Sequence, residues 1–233
     1  MRTQVLAVAI VSVAGVLGLG PAGCGRTNLP RGVARLQVES PSFPQGGEIP
    51  KEFTCDGGSV SPALRWQAAP SGTQSLVLIV TDRSSSAGAL AQWTLYNMPP
   101  TARGVTEGVP RTMELPGGSR QGFNNDNSIG YWGPCVEGEP TSWYLMPFGH
   151  RYYFTVYALD EKPDVPAAIV GDAQLQQAIE GHVLAAGELV GRCHRCQMEM
   201  IEHHLHVMYK HLRHPGLQQK LRHLVHRLRG DND

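Results

Sequence analysis

The chain has 233 residues, and its 20 Lys and Arg residues are balanced by 20 Asp and Glu residues. This length is enough for one sizeable hydrophobic core and a small appendage. The formal net charge of zero gives no global argument for a nucleic-acid partner, since such partners select an excess of basic residues.

The start of the chain resembles a signal peptide of the lipoprotein type. An apolar run from Val5 to Leu19 is the length of a signal-peptide core and is short for a membrane span. The run is followed by Pro-Ala-Gly-Cys, which is similar to a bacterial lipoprotein box, although a Leu is usual where the Pro stands. We therefore expect residues 1–23 to be removed, Cys24 to be lipidated and residues 24–35 to form a tether. Ordinary secretion and a retained anchor are the alternatives.

Residues 36–192 are predicted to form one mainly β domain. Ser75–Asp82 is a near-continuous apolar run, which indicates a central strand covered on both faces. Further strands are predicted at Leu36–Glu39, at Gln92–Met98 before two prolines, and at Arg151–Leu159, which is rich in β-branched and aromatic residues. Strands separated by Gly and Pro turns favour an antiparallel β-sandwich with a few peripheral helices.

One helix is predicted inside this domain, at Asp172–Glu180. Asp172 is its candidate N-cap. Four apolar residues are expected on one side of this helix, namely Leu175, Ala178, Ile179 and Val183.

The stretch from Gly122 to Cys135, followed by the strand that begins at His150, is a candidate small-ligand site. Its Gly and Asn content excludes a helix or a central strand. Glycines let backbone N–H groups approach an anion, and a histidine adds a charged donor. A surface loop that leads into a core strand is the alternative interpretation.

Four motifs occur in order along residues 36–192. They are Ile49-Pro-Lys-Glu-Phe-Thr-Cys-Asp-Gly57 with Leu64-Arg65-Trp66, then Ser75 to Pro100, then Gly130-Tyr131 to Cys135 with His150-Arg151-Tyr152, and finally Ala185 to Gly191. Together they resemble the phosphatidylethanolamine-binding protein family, in its bacterial YbhB/YbcL or Raf kinase inhibitor-like branch.

The resemblance implies a sandwich of antiparallel sheets with a small pocket at one end for phosphate-like head groups and related oxyanions. Carried over one residue at a time, the pocket walls are Asp82, Gln92, Gly133, Pro134, His150 and Tyr152. Backbone amides, an imidazole and a phenol are suitable donors for an oxyanion. A carboxylate cannot welcome an anion, so Asp82 is expected to orient a neighbouring donor or to keep it protonated.

Departures from the family pattern modify this expectation. The residue before the Trp is usually His and is Gln92 here, and the usual Asp-Pro-Asp-Ala-Pro loop is Asp-Arg-Ser-Ser-Ser from Asp82. The usual proline pair is Val136-Glu137, and the segment up to Gly149 is longer and more aromatic than expected. We therefore predict weaker and less pH-dependent anion binding than is usual for the family. The resemblance also implies a disulfide between Cys55 and Cys135, provided that their Cα atoms lie within about 7 Å.

Residues 193–233 differ abruptly in composition. The segment 192–233 holds eight Lys and Arg against four Asp and Glu, and it contains eight of the ten histidines. Leu and Val residues at helical spacing between 217 and 228 indicate a basic amphipathic helix suited to anionic lipid. A zinc or copper site is a second interpretation, with Cys193, Cys196, His203 and His206 as its candidate ligands. A partly disordered extension without a function is the third.

The predicted function is a non-enzymatic binding module for phospholipid-head-group-like or other small anionic ligands. No Gly-x-Ser-x-Gly or His-Glu-x-x-His motif occurs. The alternatives are a hydrolase that uses the same pocket and, by family resemblance, a protease inhibitor. No cofactor is expected apart from the zinc above. The expected partners are the small ligand and a bacterial membrane reached through the lipid anchor, with no nucleic acid; the sequence does not determine the oligomeric state.

Overall fold

The computed structural model describes residues 29–84, 89–135, 150–165 and 172–193, together with residue 219. The signal peptide, most of the tether, the aromatic segment 136–149 and the extension beyond residue 193 lie outside the described residues, apart from residue 219. Within the described part of the chain, no helix is long and apolar enough to cross a membrane.

The described residues form two β-sheets and one α-helix. The larger sheet has six strands in the order β1-β9-β8-β4-β5-β7, and the smaller sheet has three in the order β2-β3-β6. The strands are β1 (Ala34–Arg35), β2 (Val38–Glu39), β3 (Leu64–Trp66), β4 (Ser75–Asp82), β5 (Leu90–Met98), β6 (Gly104–Val105), β7 (Arg120–Gln121), β8 (His150–Leu159) and β9 (Val183–Cys193). The helix is α1 (Asp172–Ile179), and two short 3-10 turns occupy Lys51–Phe53 and Cys55–Gly57.

Strand β4 lies at the centre of the larger sheet because it is apolar on both faces. All eight of its residues are buried. Alternate side chains enter different apolar clusters: Leu76 and Leu78 face the main core, while Val77 and Ile79 face the opposite side. This is the expected consequence of a two-residue side-chain period in a strand with no polar face.

The main core lies on the β4 face that carries Leu76 and Leu78. The smaller sheet contributes Val38, Leu64 and Trp66 to this core. The strands of the smaller sheet pair in antiparallel register, with Val38 opposite Trp66 and Leu64 opposite Val105. Two sheets therefore enclose one hydrophobic layer, as in a β-sandwich.

Helix α1 covers the opposite face of the larger sheet. Its buried residues are Leu175 and Ile179, four apart and therefore on one side of the helix. They pack in one cluster with Val77 and Ile79 of β4 and Tyr96 of β5.

The predicted mainly β sandwich is confirmed, and several details differ. The predicted strand Ser75–Asp82 is exact, and the strands that end at Met98 and Leu159 begin two residues and one residue earlier than predicted. The placement of Val183 on the helix face was wrong, because Val183 is the first residue of β9. The larger sheet is not purely antiparallel, since β1 pairs with β9 in parallel register.

Candidate functional site

Two strand ends bring an acidic and an imidazole side chain together at one edge of the larger sheet. Asp82 is the last residue of β4, and His150 is the first residue of β8, which runs antiparallel beside it. Asp82 is directly opposite Tyr152, so His150 lies just past the end of β4. The Nδ1 atom of His150 and the Oδ2 atom of Asp82 are 2.7 Å apart. Asp82 is therefore placed to orient the imidazole.

The carboxylate of Asp82 is held on both oxygens. Its Oδ1 atom accepts a hydrogen bond of 2.8 Å from the backbone N–H of Ser84. The hydroxyl of Ser84 in turn accepts the backbone N–H of Arg151 at 3.0 Å, which ties this turn to the start of β8. Both side chains of the Asp82–His150 pair are largely buried. With Nδ1 occupied by Asp82, Nε2 is the ring atom of His150 that remains for a ligand.

Tyr152 adds a buried phenol beside this pair. Its ring is fully buried and lies 6.5 Å from the His150 ring, with an angle of 26° between the planes. Burial raises the pKa of Tyr152 well above its ordinary value, and the nearby negative charge of Asp82 raises it further. No group in the described residues makes a well-formed hydrogen bond to the phenol oxygen. Tyr152 is therefore a neutral hydroxyl, ready to donate to a bound group.

Gln92 lies where the pairing of β5 with β4 is interrupted. Thr81 pairs with Ala91 and Val80 pairs with Trp93, so Gln92 is the extra residue of a β-bulge. Its side chain is 3% exposed, and its Oε1 atom has no hydrogen-bond partner among the described residues. The backbone carbonyl of Gln92 accepts the N–H of Trp132 at 2.8 Å. That contact places the segment Tyr131–Cys135 along β5.

The Gly133-Pro134 segment is fixed against residues Phe53–Cys55. Tyr131 Oη donates to the Phe53 carbonyl at 2.8 Å, and the Cys55 N–H donates to the Pro134 carbonyl at 3.2 Å. A Cβ atom added to Gly133 would lie 2.3 Å from the Phe53 carbonyl oxygen. Gly133 is therefore required by close backbone packing within the wall, whatever the ligand.

A disulfide closes the same wall. Cys55 and Cys135 are bonded, with their Cα atoms 5.4 Å apart, and this is the pairing that the resemblance implied. Because the bond joins residues 80 positions apart, it fastens the Tyr131–Cys135 segment to the first motif of the domain.

The predicted site residues therefore fall into two groups. Asp82, His150 and Tyr152 are brought together by strand register, while Gln92 and the Gly133-Pro134 segment are joined to each other through Trp132. Sequence reasoning missed the parts of Ser84 and Tyr131, which position Asp82 and the wall segment. The Asp-x-Ser spacing, which permits an Asx-type turn, was the available signal for Ser84.

The other predicted sites fall largely beyond the described residues. The lipidation candidate Cys24 and the metal-ligand candidates Cys196, His203 and His206 lie outside them. Cys193 is described, is buried at the end of β9 and is part of a disulfide, so in this oxidised form its sulfur is not a thiolate ligand. Among the described residues, no three His, Cys, Asp or Glu side chains form a group that could hold a metal ion.

Comparison with known proteins identifies relatives over the whole described domain. A family model described as phosphatidylethanolamine-binding protein matches residues 39–194. A UPF0098 protein of Methanothermobacter thermautotrophicus is 38% identical over 158 residues, which cover 67% of this chain and 97% of the relative. A UPF0098 protein of Aquifex aeolicus is 36% identical and is covered over 89% of its length by 69% of this chain.

Solved structures show the same fold. CT736 of Chlamydia trachomatis, described as a phosphatidylethanolamine-binding protein homologue, superposes with a TM-score of 0.57 at 33% identity, over 67% of this chain and 95% of that protein. YbcL of E. coli, described as a member of the mammalian family of the same name, gives a TM-score of 0.60 at 25% identity, over 69% of this chain and 98% of YbcL.

Proposed function

The chain belongs to the phosphatidylethanolamine-binding protein family, and we propose that it is a non-enzymatic binding module for small anions of the phosphate type, such as phospholipid head groups. The observation that carries the proposal is the buried triad of Asp82, His150 and Tyr152 at the sheet edge. Its imidazole is oriented by a carboxylate, and its phenol is neutral and without a partner. Rigid donors of these kinds are what a small oxyanion requires.

Binding without turnover is supported by the surroundings of His150. The Asp82–His150 pair resembles the acid and base of a hydrolase, but a hydrolase of this type also needs a hydroxyl or thiol hydrogen-bonded to the other ring nitrogen. Among the described residues, no such group is hydrogen-bonded to Nε2 of His150. The hydroxyl of Ser84 instead accepts the amide of Arg151. We expect no esterase, phosphatase or peptidase activity above background in panels run with the purified chain.

Titration calorimetry with inorganic phosphate and with O-phosphoethanolamine tests the binding site. His150→Ala should weaken binding about 10- to 100-fold, since a charge-assisted hydrogen bond contributes roughly 1.5–3 kcal/mol. His182→Ala is the matched control, because His182 pairs with Asp160 and Glu161 beyond the other end of β8. The proposal fails if the wild-type chain binds neither compound, or if both variants bind like the wild type.

Export and lipid anchoring at Cys24 complete the proposal. They are supported by the apolar run before Cys24 and by the Cys55–Cys135 disulfide, since such bonds persist mainly in oxidising compartments. In a bacterial host given a labelled fatty acid, the full chain should incorporate the label and fractionate with membranes. Cys24→Ser should abolish both, and label retained by this variant would contradict lipidation at Cys24.

A further inference from the structure

Two buried polar atoms of the candidate site have no partner, and they differ in what they can do. The Oε1 atom of Gln92 can only accept a hydrogen bond, whereas the Oη atom of Tyr152 can donate one. Both side chains are more than nine-tenths buried, so water does not freely replace the missing partners. Buried polar groups of native proteins are nearly always paired, and these two are paired only when a ligand is bound.

The charge of the site limits the ligand further. The Asp82 carboxylate lies within the site, and its counter-group is the single imidazole of His150. Two arginines near the site are engaged elsewhere. Arg83 pairs with Glu188, and Arg111 donates to the backbone carbonyl of Ser59 and lies over the Trp132 ring. An incoming anion therefore meets a carboxylate and an amide oxygen as well as donors.

We propose that this site selects an oxyanion that keeps a proton on one oxygen, and that Gln92 is the residue that reads this proton. The inference rests on the proposed function. The ligand's P–OH group donates to Oε1 of Gln92, and its other oxygens accept from Tyr152 Oη and His150 Nε2. Inorganic phosphate and singly protonated phosphate monoesters satisfy this pattern. Sulfate and phosphate diesters do not, because they have no proton to donate and leave the Gln92 oxygen unpaired against a negative charge.

The experiment compares three anions with the purified full chain at pH 7. Inorganic phosphate carries at least one P–OH group, sulfate matches its size without a proton, and dimethyl phosphate is a monoanion without a proton. We expect phosphate to bind at least tenfold more tightly than either of the others. Comparable affinities for all three, within about threefold, would overturn the inference and leave anion binding intact. Binding of none of them would overturn the proposed function as well.

A variant assigns the selectivity to its residue. Gln92→Met has a similar volume and removes the acceptor, so it should weaken phosphate binding and reduce the phosphate-to-sulfate ratio to about threefold or less. Tyr152→Phe is the matched comparison, because it removes a donor that all three anions use and should weaken them together. A Gln92→Met chain that unfolds like the wild type and keeps the full ratio would overturn the role of Gln92. The wild-type comparison needs no variant, so the inference stays testable even if Gln92→Met does not fold.

Discussion

At the scale of single residues, Arg83 shows how a substitution next to the site is accommodated on the other face of the sheet. Its guanidinium is 3.0 Å from Oε2 of Glu188 on β9 and lies 4.2 Å from the centre of the Tyr153 ring. The Glu188 side chain is only 4% exposed, so its charge depends on this partner. Arg83 therefore links the end of β4 to β9 across β8, directly after the residue that orients His150.

Arg83→Met should destabilise the protein by about 2–3 kcal/mol, because it leaves a buried carboxylate unpaired. The effect falls below that of a fully buried pair because Arg83 itself is 21% exposed. Urea unfolding at pH 7 measures the loss, and the double variant Arg83→Met with Glu188→Gln should recover most of it. Arg120→Met is the control, since its partner Glu114 is 71% exposed and such pairs contribute about 1 kcal/mol or less. Equal losses in Arg83→Met and Arg120→Met would show that the buried charge is not the cause.

The sequence predicted some site residues because their roles depend on local motif and chain order. Asp82, His150 and Tyr152 stand at the ends of strongly patterned strands, so their convergence at one edge follows from antiparallel pairing. The unpaired oxygen of Gln92 was not predictable in this way. It depends on a β-bulge, and a bulge is set by the register between two strands rather than by either strand alone.

At the scale of elements, the segment Tyr131–Cys135 is a structural wall without regular secondary structure. It is held by the Gln92 carbonyl on one side, by Phe53 and Cys55 on the other, and by the disulfide at its end. The sequence analysis interpreted its glycines as places for close approach to an anion. The structure gives Gly133 a different reason, since the nearby atom is a carbonyl oxygen of the protein itself. Glycine content alone cannot distinguish these two uses.

Gly133→Ala should destabilise the protein by roughly 1–3 kcal/mol and also weaken phosphate binding, because its Cβ would displace the wall from Phe53. Gly117→Ala is the contrast. Gly117 has a φ of 89° with no atom within 4 Å of the added Cβ, so it tests backbone strain without steric overlap. We expect it to lose about 1 kcal/mol with unchanged phosphate affinity. Thermal unfolding and calorimetry measure both, and unaltered phosphate affinity in Gly133→Ala would refute the link between wall and site.

At the scale of the whole molecule, the sandwich was predictable because several levels of the sequence agree on it. A strand with no polar face requires cover on both sides, and the structure supplies the main core on one side and α1 on the other. The parallel pairing of β1 with β9 was not predictable, since Ala34–Arg35 is too short to carry a pattern and owes its place to its partner strand. Tyr131 and Tyr152 belong to the same main core, which ties the stability of the fold to their protonation.

Alkaline pH should therefore unfold the protein cooperatively. Burial raises the pKa values of Tyr131 and Tyr152 above the ordinary value of about 10, and Asp82 adds to the shift of Tyr152. Below pH 10 both residues are protonated whether the chain is folded or unfolded, and stability is unaffected. Above pH 10 only the unfolded chain loses these protons, so the free energy of unfolding should fall by about 1.4 kcal/mol per pH unit for each tyrosine.

Urea unfolding between pH 8 and 11.5 measures this slope, and tyrosinate absorbance follows the ionisation. In Tyr152→Phe the slope should decrease by one tyrosine's share, about 1.4 kcal/mol per pH unit. Replacement of Tyr153, which is half-buried on the opposite face, should leave the slope nearly unchanged. The reason is that the argument depends on burial in the main core rather than on the number of tyrosines. If the tyrosinate signal of the main-core residues developed near pH 10 while the chain stayed folded, the phenol of Tyr152 would not be the durable neutral donor that the site requires.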